Sequence, residues 1–334
     1  MTAAPRTLLQ IVNQAQGELG LPQAATVIGN TDPTTVQMLA ILQKIGEELR
    51  DTPEDGWTSM HVEFDLPIPT PVSTTGNFTN NSPVITNIPS TAGISAGSFA
   101  INGLGSPIAT AARVLSVDSL TQITMTMEAT GAATGAALMF AQDTFTLPSD
   151  FRQYSDRTFW DRTNRWELLG PDSPQMDQWH RSGIVVTGPR RHFRNIGRIQ
   201  AVNPSWRLWP APFEIVNPIQ LAFEYLSTDW ICANGGATIP PSPPTYASIW
   251  TNDTDIPVLD DRALIDGLKW MFWMRKGFGG LSEQNWWQDL VDRLIARDGG
   301  APTLQLAKRV HPIFISPANV ADGFFPGPIG PNST

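Results

Sequence analysis

Few stretches of this 334-residue chain carry residue types at spacings that could do covalent chemistry. Gly93-Ile94-Ser95-Ala96-Gly97 has the spacing of a nucleophile elbow, in which a serine on a strand-to-helix turn meets a histidine base and an acid. Its flanks are Ser, Thr and Gly, no helical pattern follows, and the nearest downstream histidine, His180, lies far along the chain; the stretch reads as a β-turn. The four histidines, 61, 180, 192 and 311, are scattered, with no His-Glu-x-x-His pair and no cysteine neighbour, so their spacing suggests no metal site. Cys232 is the one cysteine, which excludes an intrachain disulfide and any CxxC site. Neither a P-loop nor Gly-x-Gly-x-x-Gly follows a strand. The expectation is a non-enzymatic protein with no catalytic residues, no metal and no cofactor.

Two residue types stand out as contact chemistry instead. Trp270, Trp273, Trp286 and Trp287 fall on more than one face of a helical region, and tryptophan is favoured in cores and at protein interfaces. Sugar stacking is the competing use, but it calls for carboxylates and amides gathered in a cleft. Arginines cluster between Arg152 and Arg207; Arg190, Arg191 and Arg194 are assigned to ion pairs with neighbouring subunits, with a solvated face as the alternative. A DNA-gripping patch would bring lysines and surplus positive charge, whereas the net charge here is −9. An acidic surface suits a wall that DNA slides past, and suits other soluble proteins equally.

The elements that position these residues follow from periodicity. Leu8, Leu9, Ile11, Val12, Ala15 and Leu19 make one helical face between Thr7 and Gly20. Asp32-Pro33 is an N-cap followed by a first-turn proline, ahead of Val36, Leu39, Leu42, Ile45 and Leu49. His61 to Leu66 alternates like a half-buried strand. From Pro67 to Gln142 the only charged residues are Arg113, Asp118 and Glu128, and short apolar stretches recur between turn residues, which predicts an inserted small β-sandwich. Strands are expected again at Gly183–Val186, Ile196–Val202 and Ile219–Tyr225, then a Pro-rich loop at residues 240–244. Asp260-Asp261 opens a further helix, Gly277 to Gly280 breaks it, and a last helix runs from Ser282 to Asp298. The final stretch carries six prolines together with Val310, Ile313, Phe314, Ile315, Phe324 and Phe325, the pattern of a segment that orders on a partner. No secretory signal is evident, and no run of about 18 apolar residues suggests a transmembrane helix.

The order helix, helix, β region, helix, helix, extended tail resembles the head-to-tail adaptor family of short-tailed phages, the tail tubular protein A type. Leu8-Leu9-Gln10-Ile11-Val12-Asn13-Gln14-Ala15, Gly20-Leu21-Pro22, Ala263-Leu264-Ile265-Asp266-Gly267-Leu268-Lys269-Trp270, Ala296-Arg297-Asp298-Gly299-Gly300 and Trp206-Arg207-Leu208-Trp209-Pro210-Ala211-Pro212 carry the likeness. The insert is similar to a β-module of phage structural proteins through Gly76-Asn77-Phe78-Thr79, Ser90-Thr91-Ala92-Gly93 and Asp118-Ser119-Leu120-Thr121-Gln122-Ile123-Thr124.

The resemblance implies an α+β fold. Residues 1–66 hold the N-terminal helices and first strand, 67–142 the insert, 143–257 a β-rich core, 258–300 the C-terminal helices and 301–334 a portal-docking tail, with the N- and C-terminal helices forming a four-helix bundle. It further implies a connector in the virion neck, assembled in the host cytoplasm as a dodecameric ring of identical subunits. Its partners would be the portal, through Val310, Ile313, Phe314, Ile315, Phe324 and Phe325, and a tail nozzle of the tail tubular protein B type. DNA would pass the lumen without sequence-specific binding, and no membrane is involved. The alternative is a capsid-decoration or host-surface protein that holds a glycan on the insert.

Overall fold

The computed structural model describes residues 5–53, 56–102, 107–108, 112–181, 190–196, 205–213, 219–233, 245–279 and 281–298. The chain divides into two compact units, one holding the described residues of 1–63, 150–155 and 224–308, the other those of 64–149 and 156–223. Val310, Ile313, Phe314, Ile315, Phe324 and Phe325 lie outside the described residues, as do the strands expected at Gly183–Val186 and, beyond Ile196, up to Val202.

Helices α1 (Leu8–Glu18), α2 (Pro33–Asp51), α4 (Asp261–Lys276) and α5 (Leu281–Asp298) belong to the first unit, and α3 (Pro174–Arg181) to the second. Local chemistry sets their ends. Thr7 accepts from the Gln10 amide while the Gln10 side chain accepts from the Thr7 amide, a reciprocal cap on α1. Asp32 Oδ2 accepts from Thr35 N at 2.9 Å with Pro33 at the first helical position, and Asp260 Oδ1 accepts from Arg262 N and Ala263 N. Gly277, at φ 81°, takes the left-handed conformation that ends α4.

Helix α4 is the centre of this unit, packing on α1, α2 and α5. Two glycines allow the close approach. A Cβ on Gly267 would stand 2.7 Å from Ile45 Cγ2 and 2.9 Å from Trp287 Nε1, and one on Gly46 would stand 2.0 Å from the Trp230 ring. Trp230 is fully buried and meets Trp250 edge to face, with centroids 5.3 Å apart.

The expectation of a four-helix bundle does not hold. The chain is β-rich, with seventeen strands beside five helices among the described residues. The physical reason lies in what the helices bury. Trp57, Met60, Leu226, Trp230, Ile231 and Trp250, none of them helical in α1, α2, α4 or α5, sit in the same core. Helix α5 buries only Trp287, Leu290 and Val291, too narrow a face for one quarter of a bundle.

The insert departs from the expected two-layer sandwich. Strands β2 (Val72–Phe78), β3 (Val84–Thr86), β4 (Phe99–Asn102), β5 (Val114–Ser119), β6 (Gln122–Met125) and β7 (Ala133–Ala141) form one antiparallel sheet in the order β4-β7-β2-β3-β6-β5. Its ends then meet. Phe99 bridges Arg113, Ala100 N donates to Ala112 O at 3.0 Å and Val114 N to Ser98 O at 3.0 Å, which closes the sheet on itself as a small barrel. Register shifts at Gly76/Phe78, Val114/Ser116 and Val117/Ser119 bend the strands enough to close, and closure pairs β4 with the start of β5. Phe78, Ile85, Ile123, Leu138 and Phe140 fill the interior.

The remaining strands are short. In the second unit β8 (Thr144–Thr146), β13 (Ser205–Trp209) and β12 (His192–Ile196) pair in that order. The unit boundary falls inside β1 (His61–Leu66) and β14 (Leu221–Ser227). The end of β14 pairs with β9 (Phe151–Tyr154) in the first unit, and its start with β10 (Trp160–Asp161), which pairs β11 (Trp166–Glu167), in the second. In the first unit β15 (Ile231–Cys232) lies between β16 (Tyr246–Ala247) and β17 (Ile256–Pro257). No helix among the described residues is long and apolar enough to cross a membrane.

Gly46→Ala tests the central contact. The added methyl has nowhere to go but into the Trp230 ring, so urea unfolding should show a loss of about 1–3 kcal/mol, whereas Gly17→Ala, on an open helix face, should cost nothing.

Candidate functional site

The C-terminal end of α5 is pinned by its last residue. Asp298 Oδ2 accepts from Thr58 N at 2.7 Å, and the Asp298 carbonyl from Thr58 Oγ1 at 3.4 Å. Beside it lies a cleft of about 580 Å³ lined by Arg6, Trp57, Leu259, Asp260, Leu294 and Asp298, among others. Its carboxylates already have partners: Asp260 caps α4, Asp261 takes Arg6 Nη1 at 2.9 Å and Asp298 holds Thr58. A general acid or base needs a proton position open to a substrate. These groups are built to fix chain segments.

A second ionic group joins α1 to α4. Lys269 Nζ contacts Glu18 Oε2 and, at 2.7 Å, Asp266 Oδ1. The Lys269 hydrogen bond, seconded by Gln14, holds the Glu18 carboxyl below the usual range. Burial pulls the Lys269 ammonium down, but its bonds to Asp266 and Glu18 outweigh that and leave it raised. Arg262 lies over the Trp286 ring, 5.9 Å from its centroid, and both line a separate hollow of about 300 Å³ with Glu18, Asp266 and Lys269.

The residues assigned to subunit contacts divide by burial. Trp270 and Trp287 are 5% and 8% exposed within their own core, their rings 5.7 Å apart, and Trp287 Nε1 donates to Ala263 O at 2.8 Å. Trp273 is half-buried, and Trp286 is 48% exposed. Met274, Phe278 and Leu281 extend an apolar exposure where α4 turns into α5, Phe278 at 80%. Arg191 Nη1 donates to Pro210 O at 2.8 Å, and Arg194 Nη1 pairs with the buried Asp177 at 2.7 Å, where Arg207 also reaches at 3.3 Å. Arg190 is half-buried.

Ser95 lies in a turn between Gly93 (φ 81°) and Gly97 (φ 90°), its hydroxyl 3.3 Å from Ser98 Oγ, and strand β4 follows where an elbow requires a helix. One grouping escaped the spacing argument. Asp172, His180 and His192 place a ligand-type atom each within 4.8 Å of one another. The missing signal was α3, whose buried face carries Asp177 and His180 while Met176 and Trp179 point to solvent, the reverse of an amphipathic pattern.

No protein-family model matches this chain, and no curated protein does.

Two outcomes check this division. Trp287→Ala should lower stability by about 3–5 kcal/mol, whereas Trp286→Ala should leave the fold within about 1 kcal/mol and show its effect in self-association by sedimentation velocity. Glu18 has a folded pKa below its unfolded value, so its contribution is present above the ordinary glutamate range near about 4.3 and is lost as pH falls through the lower folded value. Glu18→Gln should therefore shrink the difference in melting temperature between neutral and acidic pH.

Proposed function

We propose that this chain is a non-enzymatic head-to-tail adaptor of a tailed phage virion, a ring-forming subunit seated between portal and tail nozzle with DNA passing through the lumen. One observation carries the reading. The first two and last two helices share a single core, so the Pro-rich, apolar stretch from residue 301 onward is tethered at a point held by Asp298 and Thr58. A docking segment rooted on a rigid element loses less entropy on binding than one hung from a loose linker.

Further support comes from four exposed apolar side chains around the turn from α4 to α5, Met274, Phe278, Leu281 and Trp286, which subunits of a ring would cover. The glycan alternative finds less. A hollow on the barrel, about 490 Å³, is lined by small residues such as Val72, Thr74, Pro89, Ser90, Ala92 and Ala137, and among the described residues no aromatic ring lines it to stack a sugar.

Deleting residues 301–334 tests the docking. The truncated chain should keep its helical circular dichroism and cooperative melting yet no longer co-sediment with portal rings of the same phage. Co-sedimentation at the full-length level would overturn the reading. Antibody to this chain should label virions at the neck in negative-stain images; label on the capsid shell would favour the decoration alternative.

A further inference from the structure

We propose that Asp172, His180 and His192 bind one divalent transition-metal ion of the zinc type, which fastens α3 to strand β12. Backbone pairing brings the three together. Leu169 N donates to Arg191 O at 2.9 Å, Phe193 N to Leu169 O at 2.9 Å, and Asp172 N to Phe193 O at 2.8 Å. The segment from Leu169 to Asp172 therefore lies along β12 and sets the Asp172 carboxylate beside His192. Ser173 Oγ then accepts from Met176 N at 3.2 Å, starting α3, and about two turns later the helix carries His180 back over the same carboxylate.

The distances are those of ligands around a common centre. His192 Nδ1 lies 3.2 Å from Asp172 Oδ1, and His180 Nδ1 lies 3.3 Å from Asp172 Oδ2. Nitrogen and oxygen atoms held tetrahedrally at about 2.0–2.1 Å from zinc stand about 3.3 Å from each other. Each imidazole thus stands one such edge from a carboxylate oxygen, His192 from Oδ1 and His180 from Oδ2, and one ligand atom from each of the three residues lies within 4.8 Å of the others. The imidazole rings meet edge to face at 68° with centroids 4.5 Å apart, so they approach the carboxylate from different directions.

His180 provides the independent sign. It is 3% exposed, and among the described residues its Nδ1 has no hydrogen-bond partner, because the line to Asp172 Oδ2 lacks the direction a hydrogen bond requires. A buried nitrogen left so is destabilising, and an ion at the junction would satisfy it. The nearest other buried acid on α3, Asp177, is already neutralised by Arg194 and Arg207 and is not a candidate fourth ligand. His192, 21% exposed in its side chain, leaves the fourth position to water. Two imidazoles and one carboxylate select zinc-type ions over calcium or magnesium, which prefer all-oxygen shells.

The test uses the untagged full-length protein, stripped with a chelator and titrated with Zn²⁺ by calorimetry. One ion per chain should bind, with a rise in melting temperature. His180→Gln and His192→Gln should each weaken binding roughly 100-fold and Asp172→Asn roughly tenfold, while His61→Gln and His311→Gln leave it unchanged. Co²⁺ in the wild type should show the visible bands of a four-coordinate site, and His192→Gln, at the more exposed ligand, should abolish them without unfolding the chain. The proposal is overturned if the wild type binds no ion saturably, or if the His61 and His311 variants lose as much affinity as the other two. Neither result bears on portal docking, which the tail deletion reads separately.

Discussion

The indole of Trp230 reaches the centre of the first unit because α2 has no side chain at Gly46 to keep it out. Burying a ring of that size is worth on the order of 5 kcal/mol, comparable with the net stability of many domains. The same economy of space recurs at Gly267, where α4 comes against Ile45 and Trp287. These two absent side chains let helices from both ends of the chain, separated by the whole β-rich middle, close on one core. Everything proposed for the C-terminal tail starts from that closure, since it is what holds α5, and with it Asp298, in place.

Charge is used inward. Asp143, 1% exposed, is paired with Arg113, and Asp177, 3% exposed, with Arg194 and Arg207. Breaking such a pair from one side strands a buried charge, which is far more costly than losing an exposed one. Two of the arginines that give the sequence its basic cluster, Arg194 and Arg207, are thereby engaged within this chain.

The barrel and the three-residue cluster show two ways a fold uses a region poor in charge or poor in pattern. In the barrel, small residues and bulges let six short strands curve until β4 meets the start of β5, so a sequence of Ser, Thr, Gly and Ala closes its sheet where the two edge strands meet. Around α3 the usual polarity is inverted. Its inward side chains are Asp177 and His180, its outward ones Met176 and Trp179, and a buried polar face calls for partners that local sequence cannot name.

Local chemistry was enough to read where α1, α2 and α4 begin and where α4 stops. Thr7, Asp32 and Asp260 cap where their side chains must satisfy the first free amides, and Gly277 stops α4 where a positive φ is needed. The charge-poor stretch from Pro67 to Gln142 likewise announced short strands, because alternating apolar residues between turn formers have no other way to bury one face. What those elements do together was not legible. A period of 3.6 residues says that Trp287 belongs to a helix and does not say whether its neighbour is Gly267 or another subunit. Nor can it tell a sandwich from a closed barrel, since the bonds from Ala100 to Ala112 and from Val114 to Ser98 depend on accumulated bend. The meeting of Asp172, His180 and His192 was decided by tertiary structure alone, because contacts between residues distant along the chain follow from the packing of whole elements rather than from any interval between letters.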